Sequence, residues 1–402
     1  MILRNRDFAL LWGGQLVSQL GNQFNYVALA WLVLSRTGST TLMGGIFLAQ
    51  ILPNALFGWW AGVLVDRMPR LRLMLLADWA RALLVLLLPV LHHLGHLPLA
   101  ALYPVTFLVA SLSLLFYSAE KALIPTLVPE EQWTEANAYA EMTSQAAALA
   151  GPVLAGILVA ALASPVDVLY LDAASFAVSA LALLGIGCRP VPAGPAGMTP
   201  ARVFAEAREG LRFLLQGRFL RVVFATAAAG NFLAMPFAVV FPVYSERALR
   251  AGPQGFGWLM GGLGAGMLLG SLSAAGLSRR FPPATVIYGG MALLGAAFAG
   301  MAFSPHLALS VALAALAGFG VSPGNAVVLT LVQRTTPAEL QGRVFASLFA
   351  MVGMVAPLGV ALASPLVGAV GPRALLAGIG ALTGILAALG YALLSRQEDV
   401  PR

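Results

Sequence analysis

Apolar residues in this chain run in long, nearly unbroken blocks, twelve in all, at 9–34, 42–65, 73–92, 99–120, 137–163, 167–187, 219–244, 255–277, 284–303, 307–332, 343–368 and 372–394. A helix rises 1.5 Å per residue, so about 20 residues cross a hydrocarbon core of about 30 Å, and every block reaches that length. Strands of a membrane barrel would alternate polar and apolar positions over about 10 residues, whereas these blocks are continuously apolar. Backbone groups in lipid must be satisfied within their own segment. The pattern therefore predicts an all-α membrane protein of twelve transmembrane helices. The longest polar interval, 188–218, divides them into a bundle at 1–187 and a bundle with a short tail at 219–402.

The interval starts with Arg189, Pro190 and Pro192 and continues through Pro195 and Pro200. It then turns amphipathic, with Val203, Phe204, Ala207, Leu211, Leu214 and Leu215 on one face against Arg202, Glu206, Glu209 and Arg212. That spacing predicts a helix lying on the cytoplasmic leaflet. The halves echo each other. Asp66-Arg67-Met68-Pro69 after the second block corresponds to Arg279-Arg280-Phe281-Pro282 after the eighth, and Pro152 in the fifth to Pro357 in the eleventh. Two six-helix halves with internal repeats are an architecture of secondary transporters, whose site lies near the midplane at the repeat interface.

Composition agrees with a membrane protein, at 59% hydrophobic and 10% charged residues against about 25% charged in soluble domains. Of 23 basic residues, those at 4, 6, 67, 70, 72, 121, 189, 202, 208, 212, 218, 221, 279, 280, 334, 343, 396 and 402 fall on one side of the predicted helices. Only Arg36, Arg247, Arg250 and Arg373 fall on the other, and Arg81 lies within a block. The positive-inside rule places both termini in the cytoplasm of a multi-pass inner-membrane protein. The first block is too long for a signal-peptide core and reads as a retained helix. The net charge of +7 is spread over short loops, which speaks for membrane orientation and against nucleic acid.

Cys188 is the only cysteine, so no internal disulfide or cysteine cluster forms. His92, His93 and His96 read as a surface loop, and no metal or cofactor is expected. Lys121, the only lysine, follows no glycine-rich loop, so ATP is not hydrolysed by this chain. No nucleophile or acid–base constellation points to an enzyme. Pairs such as Gly58 with Gly62 and Gly262 with Gly266 read as close packing within a monomer.

The run Gly62-Val63-Leu64-Val65-Asp66-Arg67-Met68-Pro69-Arg70-Leu71-Arg72 resembles the signature loop between helices two and three of the major facilitator superfamily, with Pro69 where glycine is usual. The resemblance extends over essentially the whole chain. It implies a cytoplasmic gate built from Gly62, Asp66, Arg67, Arg70 and Glu120, the arginines binding a carboxylate or lipid phosphates. Gly151-Pro152-Val153-Leu154-Ala155-Gly156 is similar to the exporter motif of this superfamily, at Gly151, Pro152 and Gly156. Arg6-Asp7-Phe8, Gln19-Leu20-Gly21-Asn22, Ala77-Asp78-Trp79-Ala80-Arg81 and Glu209-Gly210-Leu211-Arg212 resemble the branch of the enterobactin exporter and macrolide efflux proteins. That branch often carries an acidic residue where this chain has Asn22.

Charge within a membrane helix is expensive and points to function. The coupling candidates are Asp78 and Arg81, three residues apart on one helix face, together with Glu141 and Asp172. Gln15, Gln19, Asn22 and Tyr26 share a face of helix one that should meet a substrate cavity or another helix rather than lipid. Asn231 and Asn325 are their counterparts in the second half. The family resemblance and these carboxylates imply a proton-coupled exporter of amphipathic small molecules, of drug, macrolide or siderophore type, working by alternating access. Its partners would be that substrate, protons and membrane lipids. A lipid or lysophospholipid translocator of the same fold is the nearest alternative, and a membrane scaffold or sensor without transport is a more distant one.

Overall fold

The computed structural model describes residues 2–187, 209, 211–213, 215 and 218–395. The first helix shows how local sequence sets its ends. The Asn5 side chain accepts from the backbone N–H groups of Asp7 and Phe8 at 3.1 and 3.2 Å, satisfying donors that a helix start leaves open. Gly38 closes the helix in the left-handed conformation at φ 62°, which costs a residue without Cβ little. Between them runs α1 (Arg6–Thr37). It is followed by α2 (Thr40–Arg67), α3 (Arg70–His93), α4 (Leu102–Leu127), α5 (Trp133–Ala161) and α6 (Val168–Leu184).

The chain divides into two compact units, Met1–Pro200 and Ala201–Arg402. In the first, α1 packs on α5 and α6, α3 on α4 and α6, and α2 on α4. The second contains α7 (Arg218–Ala234), α8 (Phe237–Val243), α9 (Gly252–Arg280), α10 (Pro283–Phe303), α11 (Leu307–Thr335), α12 (Ala338–Val370) and α13 (Pro372–Ser395). Its tightest neighbours are α9 with α11, and α10 with α11 and α13.

Among the described residues, eleven helical stretches are long and apolar enough to cross a membrane, α7 and α8 counting together as one. The twelfth is α1, whose 32 residues span easily but whose Gln and Asn side chains dilute its hydropathy. No strand occurs among the described residues. The protein is thus an all-α, multi-pass membrane protein with six spans in each unit. The predicted block at 219–244 differs in one respect, since the helix breaks at Met235-Pro236, where proline offers no N–H and its ring clashes with the preceding turn. Past the break, a π-helical turn at Tyr244–Ala248 ends the span. The predicted amphipathic helix falls largely outside the described residues. Of it, Leu211, Arg212, Phe213 and Leu215 are helical, and Glu209 accepts from Arg343 of α12 at 2.6 Å.

Glycine rows bring the second unit together. Gly262, Gly266 and Gly270 face the carbonyl oxygens of Val311, Ala315 and Phe319 on α11, closely enough that a Cβ on Gly266 would overlap Ala315. The match of four-residue spacing on both helices is small-residue packing of the kind used within lipid, where burial from water drives nothing and backbone proximity supplies the attraction.

Candidate functional site

Four ionisable side chains sink into the first unit. Asp78 and Asp172 are fully buried, and Arg81 and Glu120 nearly so. Asp78 and Arg81, one turn apart on α3, form an ion pair. The arginine also donates from Nη1 to Ser113 on α4 at 3.2 Å. Its guanidinium lies 4.5 Å from the ring centre of Phe116 and 4.3 Å from that of Phe176, a stacked arrangement that favours a desolvated cation. Asp172 on α6 accepts from Asn25 Nδ2 on α1 at 2.7 Å. Asp172 and Glu120 both lie within electrostatic reach of Arg81. The first unit thus buries one guanidinium, paired with Asp78, together with two further carboxylates on α4 and α6. Lys121, next to Glu120, is exposed and lies 5.2 Å from the Tyr117 ring centre.

Small residues let these helices meet. A Cβ on Gly21 of α1 would collide with Ser175 and press on Asp172 of α6. On α5, Gly151, Pro152 and Gly156 are buried, and a Cβ on Gly151 would lie 2.5 Å from the Gln23 side chain. This Gly-Pro stretch therefore forms the seat of α5 on α1.

The polar face of α1 divides its contacts. Gln15 is buried and donates to Ser179 of α6 at 3.3 Å, so it serves helix packing. Gln15 and Gln19 border a narrow recess of about 10 Å³ together with Trp12, Glu120 and Thr143. Tyr26 packs on Phe47 of α2 with ring centres 5.0 Å apart. Asn22 is half-buried, and it is Asn25, one turn further on, that reaches the buried carboxylate.

Other candidates lie elsewhere. Glu141 is exposed on α5 and accepts from Gln145 at 2.8 Å. Arg70 donates to the carbonyl of Ala122 at 2.8 Å, two residues from Glu120. Gly62, Asp66 and Arg67 occupy the last turns of α2, and their side-chain surroundings lie outside the described residues. His92 is bonded to Arg36 at 2.7 Å and His93 to Asp167 at 2.9 Å. Among the described residues no three ligand side chains converge as a metal site.

In the second unit, Asn231 of α7 and Asn325 of α11 border one recess of about 90 Å³. Asn231 donates to the Ala227 carbonyl of its own helix at 2.9 Å. Deeper in the wall, Thr226 and Tyr288 share a hydrogen bond of 3.1 Å. Asn25, Ser113, Phe116 and Phe176 had not stood out in the sequence. Asn25 carries a signal in hindsight, since it continues the amide-rich run Asn22-Gln23-Phe24-Asn25. The partners of Arg81 are common residue types and carry none.

Comparison with known proteins identifies the family of the chain. Residues 2–399 match the family described as transmembrane secretion effector. Multidrug efflux pump Tap of Mycolicibacterium fortuitum is 30% identical over 366 residues, covering 89% of this chain and 88% of that protein. Macrolide efflux protein A of Streptococcus pyogenes is 26% identical over 364 residues, covering 89% and 88%. Among solved structures, a bacterial homologue of the iron transporter ferroportin in its inward-facing state aligns over 98% of this chain and all of that one, with a TM-score of 0.75 and 17% identity. The nucleoside transporter NupG aligns over 97% of this chain and all of that one, with a TM-score of 0.77 and 12% identity. At such identities the structural likeness establishes the fold alone, and the family rests on the sequence match along nearly the entire chain. The chain belongs to the transmembrane secretion effector family, within the major facilitator superfamily of membrane transporters.

Proposed function

We propose that this major facilitator efflux transporter exports amphipathic small molecules, of drug or macrolide type, in exchange for protons by alternating access. The observation that carries the reading is that Arg81, the one buried cation among the described residues, is buried in the same unit as three carboxylates, Asp78, Glu120 and Asp172. Removing charge from water costs several kcal/mol per ion unless it is paired. With all three carboxylates ionised, two negative charges would be left without a cation inside the bundle, Lys121 being exposed beside Glu120. Protons relieve that excess, so the cluster is suited to take them up and release them as its surroundings change between states. A membrane potential supplies about 2.3 kcal/mol per charge per 100 mV to such a cycle.

In this reading Asp172 and Glu120 carry protons, and Asp78 holds Arg81 in place. Gly62, Asp66, Arg67 and Arg70 close the cytoplasmic side. Gly151, Pro152 and Gly156 let α5 move against α1. Gln19, Asn22, Asn231 and Asn325 meet the substrate. Both termini lie in the cytoplasm, and the working form is a monomer.

The test is proton flux into proteoliposomes loaded with a pH-sensitive dye, with macrolides and cationic dyes added as substrates. Substrate-driven proton movement that is lost in Asp172→Asn or Glu120→Gln supports the reading. If neutralising Asp78, Glu120 and Asp172 in turn leaves that movement unchanged, proton coupling through this cluster is wrong. Movement of labelled lysophospholipid without protons would favour a lipid translocator instead.

A further inference from the structure

The two units differ sharply in buried charge. All buried charged residues among those described belong to the first unit, while the buried polar residues of the second are serines and threonines. The sequence extends this to every span of the second unit. No Asp, Glu, Lys or Arg occurs between Arg221 and Glu246, Arg250 and Arg279, Arg280 and Arg334, Arg343 and Arg373, or Arg373 and Arg396. Within that bundle, whose charged residues lie only towards the helix ends, is the recess of about 90 Å³.

Its wall is built twice from the same dipeptide. Gly230-Asn231 on α7 and Gly324-Asn325 on α11 both border it, with Ile287 and Met291 of α10 between. The glycines make room beside each amide. A Cβ on Gly230 would lie 3.2 Å from the Met291 methyl, and one on Gly324 would lie 3.4 Å from Ile287 Cα. One N–H of Asn231 is held by its own helix, which leaves the amide oxygen and the second N–H to act outward. Asn325 is exposed.

We infer that this recess is a subsite for an uncharged oxygen-bearing group, a hydroxyl, lactone or ketone, of the exported molecule. The inference deepens the export reading above and rests on it. Two amides offer both donors and acceptors, so they complement hydroxyl and carbonyl groups alike. A cation or anion entering the recess would lose its hydration and meet no opposite charge, which is costly in a low-dielectric wall. The volume suits one functional group rather than a whole drug, since a water molecule takes about 30 Å³ of liquid. Proton handling is thereby assigned to the first unit, and this contact with an uncharged group of the substrate to the second.

The test is equilibrium binding to the purified full-length protein in detergent, which needs no gradient. The probes are tritiated erythronolide B, a neutral polyhydroxylated macrolactone, and tetraphenylphosphonium, a permanent cation without hydrogen-bonding groups. Asn231→Leu and Asn325→Leu should each weaken macrolactone binding about tenfold, the loss of one well-made hydrogen bond, and leave tetraphenylphosphonium binding unchanged. Asn231→Ser and Asn325→Ser should restore part of the macrolactone affinity, and gel-filtration profiles identify any variant that fails to fold. Macrolactone binding that is absent in the native protein, or equal in native and both leucine variants, overturns the subsite. So does a matching loss for both probes. Macrolactone binding retained in Asp172→Asn, together with absent proton flux in the native protein, would leave the subsite standing while removing proton coupling.

Discussion

Arg81 is gripped from three helices, by Asp78 on its own α3, Ser113 and Phe116 on α4 and Phe176 on α6. Removing the cation alone should therefore be worse than removing the pair. Arg81→Met leaves Asp78 buried and unpaired, at a cost of about 3–5 kcal/mol, whereas Asp78→Asn combined with Arg81→Met should recover much of that loss. Thermal inactivation of the single and double variants in detergent measures the difference, and equal losses would contradict the pairing. Asn25→Ala removes the amide donor that the Asp172 carboxylate accepts from at 2.7 Å. Interhelical hydrogen bonds in membranes average about 0.6 kcal/mol, so its stability should fall only slightly while substrate-driven proton flux falls strongly. A stability loss without any change in flux would reduce Asn25 to a packing residue. This scale also shows what the sequence could reveal. Asp78 and Arg81 are three positions apart, so helical periodicity alone pairs them. Asn25 and Asp172 are separated by 147 positions, and only the packing of α1 on α6 brings them together. Glu120 and Lys121 are adjacent in sequence, but the helix turns one inward and the other outward, a rotation that a block apolar on all sides does not disclose.

At the scale of the helix, length and apolarity were legible because lipid imposes both, whereas the polar ends were not, since the block at 9–34 extends to Arg6–Thr37, where Asn5 and Gly38 cap it. The break at Met235-Pro236 was less visible, because proline inside a membrane helix sometimes kinks it and sometimes passes, as Pro53 and Pro152 do within α2 and α5. The glycine rows were visible as a pattern, but the helix each would meet was not. The structure assigns Gly262, Gly266 and Gly270 to α11, and a paired prediction follows. Gly266→Ala places a methyl group against the Ala315 carbonyl and should cost about 1–3 kcal/mol through overpacking. Gly276→Ala, with no neighbouring atom within 4 Å on the same helix, should be neutral or stabilising by up to about 1 kcal/mol from helix propensity. Melting curves of the two variants in one detergent check this, and a reversal of their order would mean that α9 and α11 do not meet on this face.

At the scale of the whole molecule, the distribution of charge argues for an orientation. Each unit has six spans, an even number, so each begins and ends on the same side of the membrane. The turns joining α2 to α3 and α9 to α10 carry Arg67, Arg70, Arg72, Arg279 and Arg280, while the α3–α4 turn carries histidines and no arginine or lysine. Lys and Arg close to helix ends resist translocation during insertion, so the arginine-rich turns should remain in the cytoplasm. With Cys188→Ser as background, the chain has no cysteine, and single cysteines can report each side. His96→Cys, at an exposed turn position, should react with a membrane-impermeant maleimide added to intact cells. Ser278→Cys, exposed at the end of α9, should react only after the cells are permeabilised. The opposite result at both positions would invert the protein. It would also place the gate proposed around Asp66 and Arg70 on the outer side, whereas the direction of exchange, set by the gradients themselves, would stay the same.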